Sequence, residues 1–137
     1  MTIETEGELR GCIGHLAADR SLADLVCEMA VAAARDDPRF APVAVHELQS
    51  LRIEISVLSE AEALIPVTPD SIRVGLDGLL VRRGRAVGVL LPQVATEQEW
   101  GAADFLAAAC RKAGLAPGAW REAATQVFTF QADVFGE

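Results

Sequence analysis

The segment from Leu51 to Leu58 alternates strictly between apolar and polar residues as far as Val57. A period of two is the period of a β-strand, whose successive side chains point to opposite faces of a sheet. One face of such a strand packs in a core, and the other meets water or lines a cleft. The apolar face comprises Leu51, Ile53, Ile55 and Val57, and the polar face comprises Arg52, Glu54 and Ser56. The fold is therefore expected to contain a sheet with one polar face.

Turn signals place further strands on both sides of this one. Residues 3–16 read as one or two extended segments. Between residues 72 and 91, the turn dipeptides Asp77-Gly78 and Arg83-Gly84 join short apolar runs into a meander. Residues 127–134 alternate again and predict a closing strand. Most strands are joined by turns, which favours antiparallel pairing.

Two helices are expected between these groups of strands. Ser21 is placed as the N-cap of the first helix, which must end before Pro38 because the residue preceding a proline disfavours helical conformation. The second helix is predicted over residues 102–113, with Gly114 in the C-terminal cap position. Helices that separate groups of strands indicate an α+β fold. No linker or low-complexity tract interrupts the chain, so residues 1–137 are expected to form a single domain.

Composition excludes several functional classes. The formal net charge of −8 and the pI of about 4.7 argue against general nucleic-acid binding, because a phosphate backbone would be repelled. The basic cluster Arg73, Arg82, Arg83 and Arg85 is more typical of solvated strand ends. No run approaches the roughly 18 apolar residues of a membrane span. With no signal-peptide pattern at the N-terminus, a cytoplasmic protein without membrane contact is expected.

The three cysteines do not suggest a disulfide framework or a metal centre. Cys12, Cys27 and Cys110 do not pair evenly and show no CxxC spacing. The glycines form neither a GxGxxG fingerprint nor a P-loop. We therefore expect no metal site and no cofactor.

One cysteine stands in a pattern of its own, in the hexapeptide from Leu9 to Gly14. In a regular strand Arg10 and Cys12 share a face, and a guanidinium beside a thiol favours the nucleophilic thiolate. Gly11 and Gly14 would let a ligand or another backbone come close. These features make Cys12 a candidate nucleophile and Arg10, Gly11 and Gly14 candidate binding residues. The alternative is that Cys12 is a small buried hydrophobe and Arg10 a partner for a carboxylate.

A nucleophilic cysteine needs a base within reach, and the sequence offers few. His15 falls on the opposite face of a regular strand, and His46 lies in a loop or short helix. Glu54, on the polar face of the alternating strand, is a better candidate base than either histidine, although an exposed cross-strand charge is the favoured explanation of this residue. Arg39, in the loop that follows the first helix, is a further candidate contact for an anion.

Several motifs in this order resemble the AMMECR-type domain family, and in particular the bacterial group called AmmeMemoRadiSam system protein A. The resemblance covers the chain from about Gly7 to the C-terminus. The motifs are Leu9-Arg10-Gly11-Cys12-Ile13-Gly14, Asp37-Pro38-Arg39-Phe40, Ile53-Glu54-Ile55-Ser56-Val57-Leu58, Leu91-Pro92-Gln93-Val94 and Cys110-Arg111-Lys112-Ala113-Gly114-Leu115. The combination is far more specific than any single motif.

The resemblance implies a single, strongly curved, barrel-like and mostly antiparallel sheet flanked by helices, with repeated strand–helix units. It implies that the Cys12 segment lines a cleft, and that the chain works with Memo-like or radical SAM proteins. Relatives usually carry a further helix and strand before that segment, so the domain is expected to be N-terminally short. They often have histidine where this chain has Asp77.

The resemblance brings no reaction with it, and two functions are compatible with the sequence. The first is a cysteine-dependent enzyme or enzyme component acting on a small anionic or nucleotide-like substrate. The alternative is a non-catalytic interaction module or accessory subunit, which associates with Memo-like or radical SAM proteins or forms a homodimer.

Overall fold

The computed structural model describes residues 1–137, with three α-helices and eight β-strands. The helices are α1 (Leu22–Arg35), α2 (Pro92–Glu97) and α3 (Ala102–Lys112). The strands are β1 (Thr2–Thr5), β2 (Glu8–Cys12), β3 (Leu51–Leu58), β4 (Glu62–Ala63), β5 (Gly78–Arg83), β6 (Ala86–Leu90), β7 (Gln126–Phe130) and β8 (Ala132–Gly136). The chain divides into a first unit, Met1–Ser56 with Val134–Glu137, and a second unit, Val57–Asp133.

The first unit is built on a sheet with strand order β2-β1-β3-β8. The turn between β1 and β2 places Gly7 at φ +84°, in the left-handed region that glycine adopts without steric cost. Strand β1 pairs antiparallel with both of its neighbours. Directly opposite residues share a face, so Gly11, Ile3 and Ile53 form one row across three strands. Ile3, in the middle of this row, is 2% exposed.

Helix α1 packs on strands β1 and β2 at the Ile3 and Gly11 end of that row, and it has the predicted N-terminus. The Ser21 hydroxyl accepts a hydrogen bond from the Asp24 backbone N–H at 3.2 Å, which caps the first turn. The helix ends at Arg35, ahead of Pro38 as expected. A Cβ atom built on Gly11 would lie 2.1 Å from the carbonyl oxygen of Ala33 in the helix. Glycine is therefore required at position 11 for the helix to lie this close to β2.

The second unit has strand order β4-β7-β5-β6 and holds the larger core. Its largest fully buried side chains are Phe105, Leu79, Leu106, Val81 and Cys110. Burying a large apolar side chain contributes roughly 1.5–3 kcal/mol. Helix α3 supplies three of these residues and lies close to β6 at Gly88, where a Cβ atom would be 2.6 Å from the Ala109 carbonyl oxygen.

The α+β class and the antiparallel strand pairing are confirmed. Each unit contains a hairpin, then a helix, then a strand that pairs with the first hairpin strand, so a strand–helix plan does recur. The single barrel-like sheet is not found, because the strands fall into two four-stranded sheets. The predicted strand over 127–134 is interrupted at Gln131, whose N–H bonds the Ser59 hydroxyl at 2.9 Å instead of a strand partner.

The predicted strand at residues 72–75 is also wrong. The backbone N–H groups of Leu76 and Asp77 both bond the carbonyl oxygen of Arg73, which closes a turn there. Strand β5 begins only at Gly78. A further difference is helix α2, which starts at Pro92, where the sequence pattern predicted only the end of the meander.

Candidate functional site

Cys12 is the last residue of β2 and is partly buried. Its Sγ lies 3.5 Å from the hydroxyl oxygen of Thr2 on β1. Thr2 pairs with Cys12 on one side and with Glu54 of β3 on the other. These three residues, which we call the polar row, therefore lie side by side on the sheet face opposite the Gly11 row. The row brings a thiol, a hydroxyl and a carboxylate to one face of the sheet.

Glu54 is separated from Cys12 by one strand. Two strand spacings put their Cα atoms about 10 Å apart. A general base acts within hydrogen-bond reach or through one intervening water. Glu54 is therefore not in direct reach of the thiol, and Thr2 is the residue that lies between them in the strand register and contacts the thiol.

Asp37 holds the backbone of Cys12 in place. Its carboxylate oxygen Oδ2 accepts the Cys12 backbone N–H at 2.9 Å. The side chain of Asp37 is only 3% exposed and is charged, so it needs strong partners. Arg39 supplies them, with Nε donating to Oδ1 at 3.0 Å and Nη2 to Oδ2 at 2.7 Å. The Arg39 backbone N–H adds a third hydrogen bond, to Oδ1 at 3.0 Å.

This arrangement sets the electrostatics around the thiol. Hydrogen bonds from Arg39 hold the pKa of the Asp37 carboxyl well below its usual range. In return, the hydrogen bond to Asp37 raises the pKa of Arg39. Arg39 Nη2 and the backbone N–H of Cys12 donate to the same carboxylate oxygen, Asp37 Oδ2. The side chain of Arg39 is 52% exposed, and Nη1 is free of hydrogen bonds within the chain.

Arg10 is engaged elsewhere. Ile3 pairs with Gly11 and Glu4 with Leu9, so Arg10 is the extra residue of a β-bulge and the regular alternation of β2 is broken. Its guanidinium donates to both oxygens of Glu47, at 2.8 and 3.1 Å.

The Arg10 ion pair ties β2 to the loop between α1 and β3. The guanidinium of Arg10 also donates to the carbonyl oxygen of Ala41 at 2.8 Å. Glu47 in turn accepts the backbone N–H of Ala44 at 2.7 Å. The hydrogen bonds from Arg10 and Ala44 lower the pKa of Glu47 to about 2. Arg10 therefore fixes the loop that carries Arg39.

The two glycines of the hexapeptide differ in their surroundings. Gly11 is buried, and the carbonyl group of Ala33 occupies the space beside it. Gly14 is exposed, and a Cβ atom there would meet nothing within 4 Å. Of the two, only Gly14 presents open space next to the backbone.

The remaining candidates lie apart from the thiol. His15 forms a 2.8 Å contact with Asp19, and His46 lies in the exposed turn Val45–Glu47. Cys27 is exposed on α1. Cys110 belongs to the second unit's core, where burial raises the pKa of its thiol. No group of three or more His, Cys, Asp or Glu side chains is arranged to hold a metal ion.

Asp77 has a structural position in the second unit. Its side chain is 5% exposed and accepts hydrogen bonds from the backbone N–H and the Nη2 of Arg73, both at 2.8 Å. The residue therefore shapes the turn that leads into β5.

Two members of the site carried no functional signal in the sequence. Thr2 is one residue among several in a short N-terminal strand, and only the strand register puts it beside the thiol. Asp37 stands directly before a proline, which suggested a helix end rather than a partner for Cys12. The spacing of Asp37 two positions before Arg39 was the one sequence feature that indicated the ion pair between these two residues.

The fold and the site define a small α+β protein with a thiol on a partly polar sheet face. Comparison with known families then identifies the family of this chain. The AMMECR1 family profile matches residues 1–135. The chain therefore belongs to the AMMECR1 family, as the motifs indicated. None of its helices combines the length and the apolar character that crossing a bilayer demands.

Archaeal relatives cover the whole of this chain. A protein of Methanothermobacter thermautotrophicus is 48% identical over 141 residues, spanning 100% of this chain and 73% of the relative. A protein of Methanosarcina acetivorans is 42% identical over 140 residues, spanning 100% of this chain and 70% of its own length. The crystal structure of uncharacterized protein PH0010 from Pyrococcus horikoshii matches with a TM-score of 0.94 and 40% identity. That match covers 99% of this chain and 71% of the PH0010 chain.

Proposed function

We propose that the protein is a cysteine-dependent enzyme or enzyme component that acts on a small anionic or nucleotide-like substrate. In this proposal Cys12 is the nucleophile, Arg39 contacts the anionic group, and Glu54 is the base that acts through the Thr2 position. Gly14 provides the open approach to the site. Arg10 and Gly11 take part by positioning β2 and the Arg39 loop.

The observation that carries this proposal is the position of Arg39. Its guanidinium is fixed by two hydrogen bonds to a buried carboxylate, yet half of the side chain is exposed and one nitrogen is free. A fixed guanidinium with a free N–H group suits carboxylate or phosphate recognition. The same guanidinium shares the acceptor Asp37 Oδ2 with the backbone N–H of Cys12, and in this proposal it stabilises the thiolate as a neighbouring cation.

The hydrogen bond between the Cys12 backbone N–H and Asp37 limits the types of reaction that the Cys12 thiol is expected to catalyse. Many acyl-transfer enzymes stabilise an oxyanion with backbone N–H groups at the nucleophile. Here the N–H of Cys12 already donates to a carboxylate, so it is not free for that purpose. This arrangement favours a thiol that attacks or carries a group without building up an oxyanion next to its own backbone.

Alkylation of the folded protein tests the nucleophile. Free cysteine titrates at a pH of about 8.5, so reactivity below that value marks a stabilised thiolate. Iodoacetamide labelling is followed by peptide mass spectrometry, with the exposed Cys27 as internal reference. We expect Cys12 to react faster than Cys27 below this pH. We also expect Arg39→Gln to slow the reaction of Cys12 but not that of Cys27. A folded protein in which Cys12 stays unreactive there removes the nucleophile role.

The alternative function is a non-catalytic module that works with Memo-like or radical SAM proteins or as a homodimer. The observation behind it is that the first unit exposes several large apolar side chains, which a partner would bury. The most exposed are Val45, Phe135 and Leu48. Light scattering coupled to size exclusion, alone and with each candidate partner, measures the association.

A Cys12→Ser variant distinguishes the two functions. If its cellular function is lost while fold and partner binding stay intact, the chemistry of the thiol is required. If function survives, the module is the better description. A chain that stays monomeric and ignores every partner counts against the module.

A further inference from the structure

The second unit carries a surface groove that the proposed thiol chemistry does not use. It consists of two adjoining cavities of about 260 Å³ and 370 Å³. Val67, Ala123 and Thr125 line both cavities and so make them one continuous groove. The groove lies between the segment that follows β4 and the segment that leads into β7.

One half of the groove is apolar. The smaller cavity is lined by Leu64, Val67, Val127 and Phe128, among others. Ile65 stands at its rim with 87% of its surface exposed, an unfavourable position for a large aliphatic side chain with no partner. An apolar side chain placed in this half would bury the exposed surface of Ile65.

The other half of the groove presents a cation that is free to bind. Arg121 lines the larger cavity, and its guanidinium lies 4.0 Å from the centroid of the Trp120 ring. A cation held on an aromatic face is pre-positioned, while the edge of the guanidinium keeps its N–H groups available. Arg121 makes no side-chain hydrogen bond or ion pair within the chain. Glu122, the carboxylate on this groove, is already paired with Arg83 at 2.6 Å.

A second arginine, Arg82, lies outside the groove lining but contacts two residues of the apolar half, Gln126 and Phe128. Arg82 lies 5.1 Å from the centroid of the Phe128 ring, and its Nε and Nη2 donate to the neutral oxygen of Gln126 at 3.2 and 3.0 Å. It is thus oriented without being neutralised. Two oriented and unneutralised arginines beside one groove are notable in a chain with a net charge of −8.

We propose that this groove binds an extended, acidic and apolar peptide segment of a partner protein. An apolar side chain of the peptide fills the half lined by Leu64 and Phe128, and a carboxylate next to it pairs with Arg121. The occupant is a peptide rather than a small molecule because the apolar lining and Arg121 belong to two adjoining cavities, both open to solvent, which one ligand has to span. Small-molecule sites typically enclose most of their ligand. The charge pattern of the groove selects for carboxylates.

The test is an NMR titration of the full ¹⁵N-labelled chain with a short synthetic peptide that alternates leucine and aspartate. We expect shifts confined to Ile65, Val67, the Trp120 indole and residues 121–128. Two control peptides carry asparagine for aspartate or serine for leucine, and each is expected to bind at least about fivefold more weakly.

A matched pair of variants locates the interaction. Arg121→Gln is expected to weaken peptide binding at least about fivefold, because a charge-assisted pair is lost. Arg111→Gln removes the same charge from the exposed end of α3, outside the groove, and is expected to leave binding unchanged. Both positions are exposed, and the amide spectrum of each variant verifies its fold.

Four results would overturn the proposal. One is an absence of groove shifts at millimolar peptide, and another is an equal loss of binding in both variants, which would indicate unspecific charge attraction. The third is equal binding of free isocaproate, a small carboxylate with the same apolar group. The fourth is a set of shifts that depend on protein concentration alone. The last two results would assign the groove to a small acid or to a second copy of the chain, respectively. All of these measurements are independent of Cys12.

Discussion

The two units share one arrangement of strands. Corresponding residues on one face of the sheet are polar in the first unit and apolar in the second. In the first unit Gly11, Ile3 and Ile53 form a row under helix α1, and in the second Gly88, Val81 and Val127 form the corresponding row. In both, the glycine allows the helix to lie close to the hairpin.

The next row along the hairpin differs between the units. In the second unit it is Val89, Leu80 and Phe128, and in the first it is Cys12, Thr2 and Glu54. All six residues are partly buried. The corresponding row is therefore apolar in the second unit, where its side chains serve packing, and polar in the first unit. Polar groups on a half-buried sheet face weaken packing, so their presence points to chemistry rather than stability.

The units also differ in how much apolar surface supports them. The second unit has a core of a dozen buried residues around Phe105, whereas in the first unit Ile3 and Ala33 are the buried hydrophobic residues. The first unit relies more on the ion pairs of Asp37 with Arg39 and of Glu47 with Arg10. We infer that the second unit provides most of the stability, whereas the first unit carries Cys12, the nucleophile of the proposed function.

The largest effect is expected from truncating the second unit's core. Phe105→Ala should lower the free energy of unfolding by about 3–5 kcal/mol, since the side chain is fully buried. Leu22→Ala on α1 of the first unit, where the side chain is 55% exposed, should cost less than about 1 kcal/mol. Urea denaturation measures both. Similar losses in the two variants would contradict the unequal division of stability.

The two glycines provide a matched comparison. Gly11→Ala and Gly88→Ala should each cost about 1–3 kcal/mol or more, because the new Cβ meets helix backbone that cannot move easily. Only Gly11→Ala should also change the alkylation rate of Cys12, because it displaces β2. If Gly88→Ala altered that rate equally, the reactivity would depend on global stability and not on the first unit.

Acid should affect the first unit before the second. The folded-state pKa of Glu47 is lowered from 4.5 to about 2, and that of Asp37 is lowered as well. A carboxyl whose pKa is depressed by folding contributes stability above its unfolded pKa and loses it as pH falls through the folded value. Amide spectra recorded while the pH falls from 4.5 toward 2 should therefore lose first-unit signals first. Glu47→Gln should make this loss less dependent on pH, whereas simultaneous loss of both units would argue against the prediction.

The smallest change in stability should come from the polar row itself. Thr2→Val keeps the shape of the side chain and is expected to alter the free energy of unfolding by less than about 1 kcal/mol. Because it removes the hydroxyl 3.5 Å from the thiol, it should still change the rate at which Cys12 is alkylated. Serine at position 2 retains a hydroxyl and should restore that rate. An unchanged rate in Thr2→Val would exclude the hydroxyl from the site.

Local patterns predicted much of the fold but little of the site. The strand from Leu51 to Leu58 has the predicted bounds, and Ser21 caps α1 as expected, because alternation and capping depend on neighbouring residues. The bulge at Arg10 was not predictable, since it depends on how β1 and β2 pair.

The same limitation applied to the residues around the thiol. The sequence placed Arg10 beside Cys12 by assuming a regular strand, whereas the structure brings Asp37 to the Cys12 N–H and pairs that carboxylate with Arg39. Contacts of this kind join residues far apart in the chain, and periodicity carries no information about them.

The carboxylate of Asp37 has a consequence for self-association. Strand β2 is an edge strand, and an edge strand with free N–H groups is a template on which another chain can add a strand and begin to aggregate. At Cys12 the outward N–H is already bound by Asp37, so an incoming strand finds no donor there. The Asp37–Arg39 ion pair therefore also hinders the addition of a β-strand from another chain at Cys12.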